Sequence, residues 1–243
     1  MSSMKNNIAQ NFNVQILKLW DNHFEQSNSV LAPLLYGDFN TNCILFIGLN
    51  PSFSLNGFKK ITRGTEFEGI DVKSYFSFVN VRKHMNEIIK IEQLARQKYP
   101  YFNQIKAISD FLELPWAHLD LFQERLTNQS KFVHKYLKRG ELLPLANDQF
   151  KLAWNTISVL KPCIIVVINA CASKIIRDKS KKELQYHQSQ GFHTIELDDR
   201  TVPIFFSGML SGQRALDIGS YERLKWHIRL AKKSDLYPCH PRD

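Results

Sequence analysis

Apolar residues fall along this chain in short dense runs separated by longer stretches of helical spacing. Residues 42–48, closing in Ile44-Leu45-Phe46-Ile47-Gly48, and 162–169, with Ile164-Ile165-Val166-Val167-Ile168 at their centre, are continuous and rich in branched residues. Runs of that kind suit strands buried on both faces of a parallel sheet. A further strand is predicted over 116–122, where alternation is imperfect and Asp120 interrupts apolar neighbours. His193–Leu197 and Val202–Phe206 flank Asp198-Asp199-Arg200 and predict a strand pair or two successive strands. Between these runs the period changes. Val14–Phe24 places Ile16, Leu17, Leu19, Trp20 and Phe24 on one side of a helix, within an N-terminal helical segment of about residues 1–40 in which Leu31–Gly37 reads as a connector into the first strand. A helical pattern from about Val72 to Leu114 is broken at Tyr99-Pro100-Tyr101-Phe102, where Pro100 suits the first position of a new helix. Helices follow over about Asn147–Leu160 and from Ala170. The last starts near Asp217, a plausible cap, with Ile218, Tyr221, Leu224, Ile228 and Ala231 on one face. Alternating strands and helices predict an α/β fold with a mainly parallel sheet covered by helices.

The exit of the first strand, Gly48-Leu49-Asn50-Pro51-Ser52, is the most informative turn. In an open α/β sheet, ligands gather at the carboxyl ends of strands. Pro51 confines Asn50 to extended or turn conformations and removes an amide donor, and Gly48 admits close approach to the backbone. Turns use Gly, Asn and Pro for purely conformational reasons too. The loop that follows, Phe53 to Lys60 and then Arg63-Gly64, is long and basic in its middle.

Composition narrows the classes. At 243 residues with 44% hydrophobic residues, the chain has enough apolar material for a sizeable core, and a single domain over 1–243 is expected, with 234–243 a frayed tail. Thirty-two Lys and Arg against 23 Asp and Glu give a formal charge of +9, which favours an anionic partner such as nucleic acid. Basic residues cluster at Lys131, His134, Lys135, Lys138 and Arg139, and again over Lys174–Lys182, where five stand against one acid. Such runs track phosphates or form a solvated face. Cys43, Cys163, Cys171 and Cys239 include no close pair, so no metal cluster is expected, and Cys43 and Cys163 read as buried thiols. No apolar run approaches the length of a membrane span, and a reducing cytoplasm is the expected setting. Neither G-x-x-x-x-G-K-[ST] nor G-x-G-x-x-G occurs.

Three predicted strand ends carry polar groups: Asn50 with Ser52, Asp120, and Ser211 to Arg214. Together they resemble the uracil-DNA glycosylase superfamily, whose members share a three-layer αβα fold around a four-stranded parallel sheet. Gly48 to Ser52 is similar to the Gly-x-Asn-Pro first motif of the mismatch-specific and thymine-type branch. Leu119 to Phe122 with Arg125 stands where the family supplies a base-reading Asn, and Ser207 to Arg214 stands at the second motif, typically His-Pro-Ser. The likeness spans about residues 42–232, and only the first motif matches closely. Two departures mark this chain: Asp120 replaces the base-reading Asn, and Met209-Leu210 replaces His-Pro, leaving Ser211 as the match. The clustered cysteines of the iron-sulfur branch are missing.

The resemblance implies a DNA glycosylase of base-excision repair, acting without a cofactor, as a monomer, on a base flipped from the duplex. Asn50 would position the attacking water and Ser211 would complete the catalytic pair. Gly48, Leu49, Pro51, Ser52 and Phe53 would hold the base, Phe53 either stacking on it or serving as core. Asp120 would select a base that presents donors, act protonated, or be a structural acid paired with Arg125. Met209 would wedge into the duplex, while Gly212, Gln213 and Arg214 would meet phosphates. The alternatives are a non-catalytic nucleic-acid-binding module and a hydrolase of another nucleotide or nucleoside.

Overall fold

The computed structural model of the chain describes residues 2–198, 200–212 and 214–233, so the expected frayed tail lies outside the described residues. The elements run α1 (Ser2–His23), β1 (Ile44–Gly48), α2 (Leu55–Thr62), α3 (Val72–Tyr75), α4 (Met85–Lys98), α5 (Asn103–Leu112) and β2 (Trp116–Asp120). They continue with α6 (Gln129–Tyr136), β3 (Leu137–Lys138), β4 (Glu141–Leu142), α7 (Pro144–Leu160), β5 (Ile164–Val167) and α8 (Ala170–Lys179). The last are β6 (Leu184–His187), β7 (Phe192–Leu197), β8 (Arg200–Phe206) and α9 (Ile218–Lys233). Two compact units result. The first takes the described residues of Met1–Phe39, Asn50–Tyr99 and Asp120–Thr156, and the second those of Asn40–Leu49, Pro100–Leu119 and Ile157–Asp243.

In the first unit, α1 begins at Ser2, near the start of the expected helical segment and ahead of the Val14–Phe24 stretch, with Ala9, Phe12, Ile16 and Trp20 as its buried stripe. It ends at His23, short of residue 40, and the chain from there to β1, including the expected connector Leu31–Gly37, is irregular. Side chains of α1 pin that connector: Asn13 Nδ2 donates to Tyr36 O at 2.7 Å, the Tyr36 amide donates back to Asn13 Oδ1 at 2.9 Å, and Trp20 Nε1 donates to Leu31 O at 3.1 Å. Tyr36 packs edge-on against Phe12 at 5.3 Å.

The second unit holds the sheet, although Asp120, the last residue of β2, is counted with the first. Six strands lie in the order β2-β1-β5-β8-β7-β6, which corrects the expected four. β1 pairs in parallel with β5, and β5 with β8, while β7 and β6 add antiparallel to the far side. Ile44 to Ile47 are fully buried, each contributing about 1.5–3 kcal/mol relative to exposure. The two strands beyond four are β6, which has no apolar pattern, and the second member of the 193–206 pair. In β7 and β8 the pair reading holds, with Ile195 opposite Val202. On α9, Asp217 caps as expected, its Oδ1 accepting from the Ser220 amide at 2.9 Å. Ile228 and Ala231 are buried, whereas Ile218 is 84% exposed and leaves the expected apolar face. Pro100 opens a short 3₁₀ turn, and Phe102 beyond it packs on Trp116 and His118, so the aromatic trio is a helix junction.

Candidate functional site

The turn after β1 is held by its asparagine. Asn50 Nδ2 faces three carbonyls, Leu126 O at 2.7 Å, Pro51 O at 3.2 Å and Glu124 O at 3.4 Å. Carbonyls accept and never donate, so this surrounding fixes the amide's orientation: nitrogen inward, Oδ1 away from the carbonyls. The turn is stitched further along its length. The Leu126 amide donates to Pro51 O at 3.0 Å, and Thr127 Oγ1 donates to Phe53 O at 3.2 Å.

Residues 120–126, which receive Asn50, are themselves rigidly supported within the first unit. Gln123 is fully buried; its Nε2 donates to Asp120 O at 2.7 Å and its amide to Gln149 Oε1 at 2.8 Å. Arg125, also buried, donates from Nε to Ala32 O at 3.0 Å and from Nη2 to the carboxylate of Glu92. Its guanidinium lies 4.8 Å from the Phe76 ring and 5.9 Å from that of Phe53. The acid paired with Arg125 is therefore Glu92, and Asp120 takes another part. The Asp120 amide donates to Tyr36 Oη at 3.0 Å. Burial pushes its carboxyl up to about 7, with Arg96 and Arg125 pulling it down and Glu92 raising it further. Burial, and then the neighbouring Asp120 charge, raise the Tyr36 hydroxyl well above the ordinary tyrosine range.

Sequence reasoning missed Glu92 and Tyr36. The signal for Glu92 was an acid inside the Ile88, Ile91, Ala95 stripe of α4. A charge at a core position of a helix needs a partner.

Phe53 is half-buried. One side packs on Phe58 at 5.4 Å and Phe76 at 5.7 Å, and the residue also lines a cleft of about 530 Å³. Asn28, Ser29, Ser54, Asn56 and Lys73 line the same cleft. An aromatic face beside amides, hydroxyls and one cation offers stacking, hydrogen bonding and anion pairing, in a volume ordinary for a ligand site. The two readings of Phe53 thus coexist in one ring.

In the second unit the sheet reverses its order of strand addition at β1, with β2 on one side and β5 on the other. Gly48 and Leu49 leave β1 there, both buried, beside Ile168 and Asn169, which leave β5. The Ile168 amide donates to Ile47 O at 2.9 Å. Asn169, also missed from sequence, caps α8: its Oδ1 accepts from the Cys171 and Ala172 amides at 2.8 and 3.1 Å. Its signal was an Asn directly before the small residues that start α8.

After β8 the chain closes a tight loop through its backbone. Leu216 donates to Met209 O at 2.9 Å, Ala215 donates to Gly212 O at 3.1 Å, and Gly212 stands at φ 89°. Met209 and Ser211 are half-buried, Leu210 is buried, and Gly212 and Arg214 are exposed. Gln213 lies outside the described residues. Asn50, Pro51, Ser52, Phe53 and Asp120 accordingly belong to the first unit, and Gly48, Leu49, Met209, Ser211, Gly212 and Arg214 to the second.

Among the described residues, no group of three His, Cys, Asp or Glu side chains could hold a metal ion, and no helix is long and apolar enough to cross a membrane. No protein-family model matches this sequence, and comparison with curated proteins finds no match.

Proposed function

We propose that this protein is a DNA glycosylase of base-excision type, with the three-layer αβα arrangement of the uracil-DNA glycosylase superfamily and Asn50 as its water-positioning residue. The observation that carries the proposal is the Asn50 carboxamide, whose nitrogen is held by three carbonyls and whose Oδ1 points away from them. An amide oxygen so fixed accepts a hydrogen bond from water and aims the water's lone pair. In the reaction the water oxygen bonds to C1′ of the sugar, the C1′–N bond breaks, the bonding pair leaves with the base, and the water's proton passes to solvent or the departing base. An amide is no strong base, so the rate gain comes from positioning and is modest.

The base itself stacks on Phe53 in the cleft, with the Ser52 backbone amide offered to its carbonyl oxygens. Asp120, raised to about 7, keeps much of its proton near neutrality, which suits a carboxyl at the family's base-reading position, where an ionised carboxylate would lack a donor. Met209 wedges, and Ser211, Gly212, Gln213 and Arg214 meet the phosphates.

The test is incubation of labelled duplexes containing uracil, hypoxanthine, ethenocytosine or a thymine mismatch, with abasic product as readout. Product from at least one, lost in Asn50→Ala, is expected. No product from any duplex sinks the catalytic reading. A second reading, a nucleic-acid-binding module without turnover, is favoured by Met209, which cannot donate a hydrogen bond where the family carries His. It expects duplex affinity that falls with salt and no abasic product.

A further inference from the structure

The far edge of the sheet carries a surface that base excision does not use. Tyr186 on β6, the outermost strand, is 56% exposed and sits directly opposite His193 of β7. The two rings are 4.9 Å apart, and His193 meets Phe206 of β8 at 5.4 Å. Opposite and diagonal partners on adjacent strands share a face, so the three rings form one row across the edge of the sheet. Arg177 of α8 closes the row, its guanidinium 4.3 Å from the Phe206 ring. Burial, followed by the charges of Arg177 and His187, holds the His193 imidazole below its ordinary pKa.

The segment that supplies Arg177 and leads directly into β6 is basic. Lys174, Arg177, Lys179, Lys181 and Lys182 are all exposed, against the acids Asp178 and Glu183 in the same stretch. An exposed ring on the strand that follows a segment whose cations outnumber its acids, one of them meeting the ring row, fits a ligand with flat faces and regular negative charge. In a duplex the base faces are stacked and hidden, whereas an unpaired strand presents them.

We propose that this edge binds single-stranded DNA, with a base stacked on Tyr186 and phosphates lying along the Lys174–Lys182 cations. The surface needs no catalysis and uses none of the residues of the Asn50 turn. It gives the protein a hold on unpaired DNA whether or not a base is excised.

Fluorescence anisotropy of a labelled oligo-dT of about 15 nucleotides, near the span of one strand-binding surface, tests it with the full chain at low salt. Tyr186→Ala is expected to weaken binding roughly tenfold, and Tyr186→Phe to keep it, because stacking uses the ring and not the hydroxyl. Lys181→Glu with Lys182→Glu is expected to weaken binding and to flatten the dependence of log affinity on log salt by roughly one unit or more. Asn50→Ala is expected to bind as wild type does, so this surface and the excision site fail separately. Wild-type affinity in Tyr186→Ala overturns the proposal. So does a marked preference for oligo-rU over oligo-dT, which reassigns the edge to RNA.

Discussion

The loops that leave β1 and β8 are both short, both polar and both at strand carboxyl ends, yet they are built in opposite ways. After β1 a side chain does the holding: Asn50 reaches three carbonyls, and the loop that receives it is braced by buried Gln123 and Arg125. After β8 the backbone does the holding, through Leu216 to Met209 and Ala215 to Gly212, and its side chains are left partly exposed. A functional group fixed by its surroundings can orient a reactant, because its position is determined before the reactant arrives. Groups on a backbone-closed loop with exposed side chains suit contacts that tolerate adjustment. The contrast supports the proposed chemistry at Asn50 and, for Met209, Ser211 and Arg214, the proposed docking, in place of the catalytic part that the resemblance implies for Ser211.

The sharpest way to break this contrast is to truncate one side chain in each loop. Asn50→Ala is expected to slow abasic-site formation by at least about a hundredfold, and Ser211→Ala by less than about fivefold, in single-turnover assays. Equal losses would remove the distinction. Next in size is the brace. Arg125→Met leaves Glu92 buried without its partner and is expected to cost about 3–5 kcal/mol in urea unfolding. A loss below about 1 kcal/mol would mean the 120–126 segment stands without it.

Asp120 gives a pH test of the same support. Its carboxyl titrates at about 7 in the folded chain against an ordinary 3.8. The folded state then holds a proton that the unfolded state releases, so Asp120 costs no stability below about pH 4 and an increasing amount as pH rises from about 4 to 7. That cost is at most about 4 kcal/mol and is expected to vanish in Asp120→Asn. Parallel melting temperatures for the two proteins across that range would contradict the assignment. Smallest is the backbone-closed loop. Gly212→Ala, at φ 89°, is expected to cost about 1 kcal/mol and to leave single-turnover excision intact while weakening duplex binding.

Much of the sheet was legible because β1 and β5 are buried along their whole length, and such strands must be written as continuous apolar runs. β6 was not. Leu184-Gln185-Tyr186-His187 is an edge strand with its middle residues exposed, so no apolar pattern marks it. Ile218 erred the other way: it is apolar and substantially exposed, which displaced the face of α9. For the site, Asn50 was visible as a conspicuous residue at a strand exit. What holds it was not, since the carbonyls of Glu124 and Leu126 lie 74 and 76 residues further along the chain. The pairing of Arg125 was open for the same reason: two buried acids, Glu92 and Asp120, compete for one arginine, and only packing decides between them.

The central claim is that Asn50 positions water for cleavage of a base from DNA. Single-turnover formation of abasic product on the best of the four duplexes, compared between wild type and an Asn50→Ala protein of unchanged circular dichroism, tests it most directly. The account predicts product from wild type and a rate at least about a hundredfold lower in the variant. Equal rates in the two proteins, or no product from either, would contradict it.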